Sequence, residues 1–207
     1  HWHRRLGVIL ALVLAVVAIT GILLNHTDRF DLSKRYVTSE WLLDWYGVRV
    51  PGEPVSFKVG ERFVSQIGTR LYYDAASIEG DYGRLLGAVA IAQTVVIGVE
   101  GELLLLTPDG ALIEKLGGQH GVPAGMRGLG RKDDWLVIRA AHGDYTVDAF
   151  FSRWREHPYV RAAWSQPTPL PLEQKARLVR EYRGHGLNME RVVSDLHSGR
   201  ILGRAGP

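Results

Sequence analysis

Nineteen consecutive residues, Leu6 to Leu24, carry no charge: "LGVILALVLAVVAITGILL". As a helix rising 1.5 Å per residue this run is about 28 Å long, close to the roughly 30 Å hydrocarbon core of a bilayer. It is longer than the apolar core of a secretory signal. The "NHTDRF" that follows is polar and bulky, unlike the small-residue site a signal peptidase needs. The run predicts a retained transmembrane helix. Arg4 and Arg5 sit against its start, whereas Arg29, Lys34 and Arg35 follow at more distance. The pair at the bilayer edge predicts a cytoplasmic N-terminus and a main domain on the outer face, periplasmic in a Gram-negative cell. Thr20-Gly21 puts small side chains inside the run, which allow another helix to approach closely.

The remainder has the balance of an ordinary soluble domain. The 207 residues suffice for one medium domain and an appendage. The formal charge of +3 is carried by scattered Lys and Arg without a basic stripe, so nucleic acid is not an expected partner. With no cysteine, the chain has no disulfide, thiolate nucleophile, Cys-ligated zinc, iron–sulfur cluster or CxxCH haem attachment.

Beyond His26 the pattern changes. "SEWLLDW" predicts a short helix with Ser39 as cap and Trp41 and Trp45 stacked at i, i+4. From Val55 to Ala149 short apolar runs alternate with turn residues: Gly68-Thr69, Glu100-Gly101, Pro108-Asp109-Gly110 and His142-Gly143-Asp144. About seven or eight antiparallel strands in a meander are expected. Gln166 to Pro171 reads as a proline-rich hinge. A helix is expected from Pro171 to Gly184 with Leu172, Ala176 and Val179 on one face. A last helix starts at an Asn188 cap, with Val192, Leu196 and Ile201 as its stripe. The expected fold class is thus α+β and membrane-anchored. A transmembrane helix occupies 1–29 and a β-rich antiparallel periplasmic domain 30–165; a hinge and helices in 166–207 lead into a second membrane helix.

Of the eight histidines, His120, His142, His157 and His185 stand in loop contexts, and His1 and His3 are the one closely spaced pair. No metalloprotease spacing occurs, nor GxSxG or SxxK, so a hydrolase is not expected. Asp133, Asp134, Asp144 and Asp148 lie beside strand turns, where carboxylates are usually solvated. His3 and His26 bracket the apolar run. On a straight helix they are about 34 Å apart, too far to share one iron. Each could ligate a haem near its own membrane face if another helix supplied a second histidine. For His26 the candidate is His197, expected at the same level; for His3 the partner would lie in another segment or subunit. The plainer reading is that these are interfacial histidines.

"HWHRRLG…AITGILLNH" and "ERVVSDLHSGRILGRAG" resemble the two signature blocks of the PepSY-associated transmembrane proteins. The matching positions are Trp2, His3, Arg4, Gly7, Thr20, Gly21, His26, Asp195, Leu196, His197, Gly199 and Gly203. The resemblance implies a bacterial inner-membrane protein with a periplasmic β-rich domain, and it implies that the second block leads into a further membrane helix. Some relatives with more helices are regarded as haem-carrying reductases for iron chelates. Two functions follow as expectations. One is a membrane electron-transfer component holding haem b through His26 and His197, with His3 toward the other face, and docking a periplasmic redox partner. The other is a non-catalytic anchored module for sensing, binding or assembly. Both have the lipid bilayer and a further membrane helix or subunit as partners.

Overall fold

The computed structural model describes residues 2–148 and 150–203. His1 and the segment 204–207 lie outside the described residues, and so does the end of the expected lead-in to a second membrane helix. The protein is α+β, with an N-terminal apolar helix and antiparallel sheets. It divides into two compact units: residues 51–179, and the segments on either side of them.

The 51–179 unit contains three successive antiparallel meanders. The first sheet is β1 (Val55–Val59), β2 (Arg62–Ile67), β3 (Arg70–Tyr73) and β4 (Ala76–Ile78). The second is β5 (Leu85–Ile91), β6 (Thr94–Val99), β7 (Glu102–Leu106) and β8 (Leu112–Leu116). The third is ordered β12-β11-β10-β9-β13, from β9 (Gly128–Lys132), β10 (Trp135–Arg139), β11 (Asp144–Val147), β12 (Trp154–His157) and β13 (Ala163–Trp164). Tight turns suit this local pairing: Gly101 and Gly110 take φ of +89° and +97°, which a side chain would oppose.

The strands β5, β6 and β7 of the second sheet are covered on both faces. Val95, Ile97, Val99, Leu104 and Leu106 pack with Phe57, Val64 and Leu71 of the first sheet. The alternate residues Val96, Leu103 and Leu105 pack with Leu129, Leu136 and Ile138 of the third. Side chains alternate across a strand, so a sheet covered on both faces needs unbroken apolar strands. That explains "TVVIGV" and "ELLLL". A Cβ at Gly98 would stand 2.0 Å from Leu129 Cδ1, so only a residue without a side chain fits against the third sheet here.

The stretch expected to be a hinge is a strap. Trp164 pairs with Gly130 of β9. The Ser165 hydroxyl then donates to Ala88 O (2.8 Å) and accepts from Ala88 N (3.0 Å) on β5. Pro167 bridges Phe57, and Thr168 N donates to Ser56 O (2.7 Å) on β1. Proline, lacking an N–H, tolerates such an edge position. The six residues from Ala163 to Thr168 thereby lace all three sheets.

The other unit begins with α1 (Trp2–Asn25), almost wholly exposed and long and apolar enough to cross a membrane. Residues 30–50, which the sequence groups with the β-rich domain, belong to this helical unit. They include α2 (Glu40–Trp45), whose Leu43 is buried with Val37 and Leu187 beside Met189 and Val192. Ser39 stands at the start of α2 but its side chain makes no capping bond. The helix α3 (Leu172–Gly184) begins in one unit and ends in the other. Of its predicted face, Leu172 and Ala176 are exposed and Val179 is half-buried, and Leu178 is the buried residue. The chain closes with α4 (Met189–His197) and α5 (Arg200–Gly203).

Candidate functional site

Two backbone bonds fix where α4 begins. Glu190 N donates to Leu32 O (3.1 Å) and Met189 N to Arg35 O (2.8 Å), beside the turns that follow α1. The Asn188 side chain caps α4 by accepting from Arg191 N (3.0 Å), as its sequence position predicts. From there α4 runs antiparallel to α1. Nine helical residues advance about 13 Å, and they bring His197 past the end of α1 to Thr20 and Gly21.

Thr20 is buried, at 4% exposure, on a helix otherwise open to its surroundings. Its hydroxyl donates to Val16 O (2.7 Å), with Val17 O also in reach (3.1 Å), and lies 3.0 Å from His197 Nδ1. With the hydroxyl hydrogen engaged on the main chain, the Thr20 oxygen accepts from Nδ1–H. This contact favours the Nδ1–H tautomer of the His197 ring. Gly21 faces the ring as well, since a Cβ there would be in van der Waals contact with His197 Cε1 at 3.4 Å. Thr20 and Gly21, read in the sequence as a contact point for a second helix, are where α4 packs.

His26 takes no part in this contact. It is exposed just beyond α1, and its Nδ1–H donates to Ile22 O (3.0 Å). Thr20 lies six residues earlier, about 9 Å down the axis and roughly 120° around. The expectation that His197 reaches the level of His26 is therefore corrected. The cause is the start of α4 beside Leu32 and Arg35, which leaves enough helix to carry His197 lower. The structure places His197 against Thr20 and Gly21 and leaves His26 exposed beyond α1, so it does not bring the two rings into contact. His3, exposed in the first turn of α1, has neither of them nearby.

The remaining described histidines have local roles or face solvent. His185 Nδ1 bonds Glu181 O (2.9 Å), and its ring stands 4.9 Å from that of Tyr36. His120 Nδ1 accepts from Gly117 N (3.0 Å), while His142 and His157 are exposed. Among the described residues no three His, Asp or Glu gather into a metal-holding group.

Two further contacts in the helical unit have no sequence signal, because their partners are far apart in the chain. Arg183 bonds Val48 O (3.0 Å) and pairs with Asp44 of α2. Trp45 Nε1 donates to Ile201 O of α5 (3.2 Å). The predicted Trp41–Trp45 stack is present, with centroids 5.9 Å apart and planes at 28°. Comparisons with family models, curated proteins and solved structures found no match to this chain.

Proposed function

We propose that this chain is a membrane-anchored binding module of the PepSY-associated kind, with α1 crossing a bacterial inner membrane and the 51–179 unit displayed on its periplasmic side. The observation that carries the reading is the seam between α1 and α4. It is an antiparallel helix contact built on Thr20 and Gly21, and it continues into a helix face that is apolar and uncovered. Such a pair supports a further membrane helix or subunit by small-residue packing. In the β-rich unit, β8 ends its sheet and exposes Leu112 and Ile113, a surface suited to an extended segment of a periplasmic partner.

A second reading, haem-linked electron transfer, is favoured by one observation: the Thr20 hydroxyl lies 3.0 Å from His197 Nδ1 and so orients the ring. A partner on the far ring nitrogen is how proteins orient a histidine for a metal. His197 would then supply one axial position, and the other would come from a helix outside this chain's described residues. Haem b would bring one-electron chemistry; this chain would supply the orienting bond and the apolar wall.

A reduced-minus-oxidised visible spectrum of the full chain, purified from haem-replete membranes, separates the two. The binding reading expects no b-type α band in the wild type. An α band lost in His197→Ala overturns it in favour of the second reading. A band that needs His26 as well would show a ligand arrangement other than the seam described above.

A further inference from the structure

α2 presents three distinct faces. At 100° per residue, Leu42 and Leu43 turn toward the small core with Val37 and Leu187. Glu40 and Asp44 lie on a second face, where Asp44 pairs with Arg183. Trp41 and Trp45 form a third, stacked and 69% and 36% exposed. Two adjacent open indoles on a six-residue helix leave a large apolar surface in contact with something other than this unit's core.

The level of that surface is tied to α1 through a chain of contacts. His197 touches Thr20 and Gly21, inside the apolar run. Ile201 follows four residues later, and its carbonyl accepts the Trp45 indole N–H. Leu43 and its neighbours pack with Leu187, Met189 and Val192 around the start of α4. Thus α2 is tied at Leu43 to the start of α4, by the turns after Asn25, and at Trp45 to α5, which follows His197 at the level of Thr20. The interval between those two levels is the outer end of the apolar helix. Exposed Phe30 and Tyr36 occupy the same end, with the basic residues Arg29, Lys34 and Arg35 in the connecting turns.

We propose that α2 is an interfacial anchor whose Trp41–Trp45 pair sits in the headgroup zone of the bilayer that α1 spans. The inference rests on the reading of α1 as a membrane helix. The occupant of the indole face is lipid because this face is continuous in level with an apolar helix that itself has no other cover. An indole suits this zone, having an apolar ring and one polar handle. Trp45 has its N–H satisfied by Ile201 and can sit at a dry level. Trp41 has no hydrogen-bond partner among the described residues, which leaves its N–H for headgroup oxygens. Arg29 and Arg35 favour anionic headgroups at the same level, while Lys34 pairs with Asp31.

The test uses the full chain in phosphatidylcholine–phosphatidylglycerol vesicles containing brominated lipids. The lipid-quenched share of tryptophan emission should fall clearly in Trp41→Phe/Trp45→Phe and stay unchanged in Trp135→Phe, a site in β10. Trp41→Phe alone, at a side chain without a hydrogen bond, serves if the double variant misfolds, and it should show part of the same fall. The absence of cysteine allows a separate check of α1, with an environment-sensitive dye on Val8→Cys. If the dye is lipid-quenched while the tryptophan variants match wild type, the interfacial anchor is overturned and the membrane helix stands. If the dye at position 8 reports water, both readings fall.

Discussion

A single hydroxyl orients His197. Replacing Thr20 by Val keeps the shape of the side chain and removes the acceptor for Nδ1–H. The expected cost is about 1 kcal/mol, in the range of one interhelical hydrogen bond. The ring should also lose its fixed tautomer, which nitrogen-15 shifts of His197 would register, whereas Thr20→Ser should retain it. Unchanged shifts in Thr20→Val would mean that the hydroxyl does not set the tautomer. Gly98 poses the opposite problem, too little space. Gly98→Val places carbon on Leu129, itself fully buried, and should destabilise the protein by roughly 1–3 kcal/mol or more. Denaturant unfolding measures it, and a loss under about 0.5 kcal/mol would show that the two sheets part more easily than their packing implies. Thr20 and Gly21 were legible in the sequence as small residues in an apolar helix. Their histidine was not, because 177 positions separate Thr20 from His197 and no local pattern spans such a gap.

At the scale of elements, local chemistry was legible wherever one residue decides the outcome. Asn188 caps α4 because its side chain satisfies an orphan amide of the first turn. Asn188→Ala should cost about 0.5–2 kcal/mol. The loss should appear first as hydrogen exchange in the opening turn of α4, with β-sheet amides unaffected; equal loosening of both would refute a local cap. Ser39 shows the limit of the same rule. A suitable residue at the right place makes no bond there, and α2 is held instead by Leu43 and by the pairing of Asp44 with Arg183. For α3 the apolar spacing pointed to Leu172, Ala176 and Val179, of which Val179 alone is half-buried, and the buried residue is Leu178. A helix whose apolar residues are few gives a weak periodic signal, and tertiary packing chooses among them.

At the scale of the molecule, the meander of short antiparallel strands was legible from turn residues and alternation. Its division into three sheets was not, nor was the strap. The strap's pairings join Ala163–Thr168 to residues 32 to 112 positions away, and prolines there suggested a break rather than a tie. Both large cores draw only on residues of 51–179. A fragment of those residues should therefore fold alone, giving a β-type far-UV spectrum and one cooperative transition. A shortened fragment ending at 162 should melt lower, because it lacks the lacing residues; equal melting would deny the strap its role. The helical unit, by contrast, is discontinuous: the chain leaves it near residue 50 and re-enters near residue 180. On the proposed reading of α1 as a membrane helix, freeing residues 51–179 from covalent attachment to it and to α4 requires two cuts, one at each crossing. After a single cut near residue 50, the domain stays covalently joined to α4, and retention on the membrane passes to the grip of α4 on α1. A cleavage site engineered there should leave the domain in the membrane fraction of wild type and release part of it in Thr20→Val. Full release from wild type after one cut would show that the helical seam bears no such load.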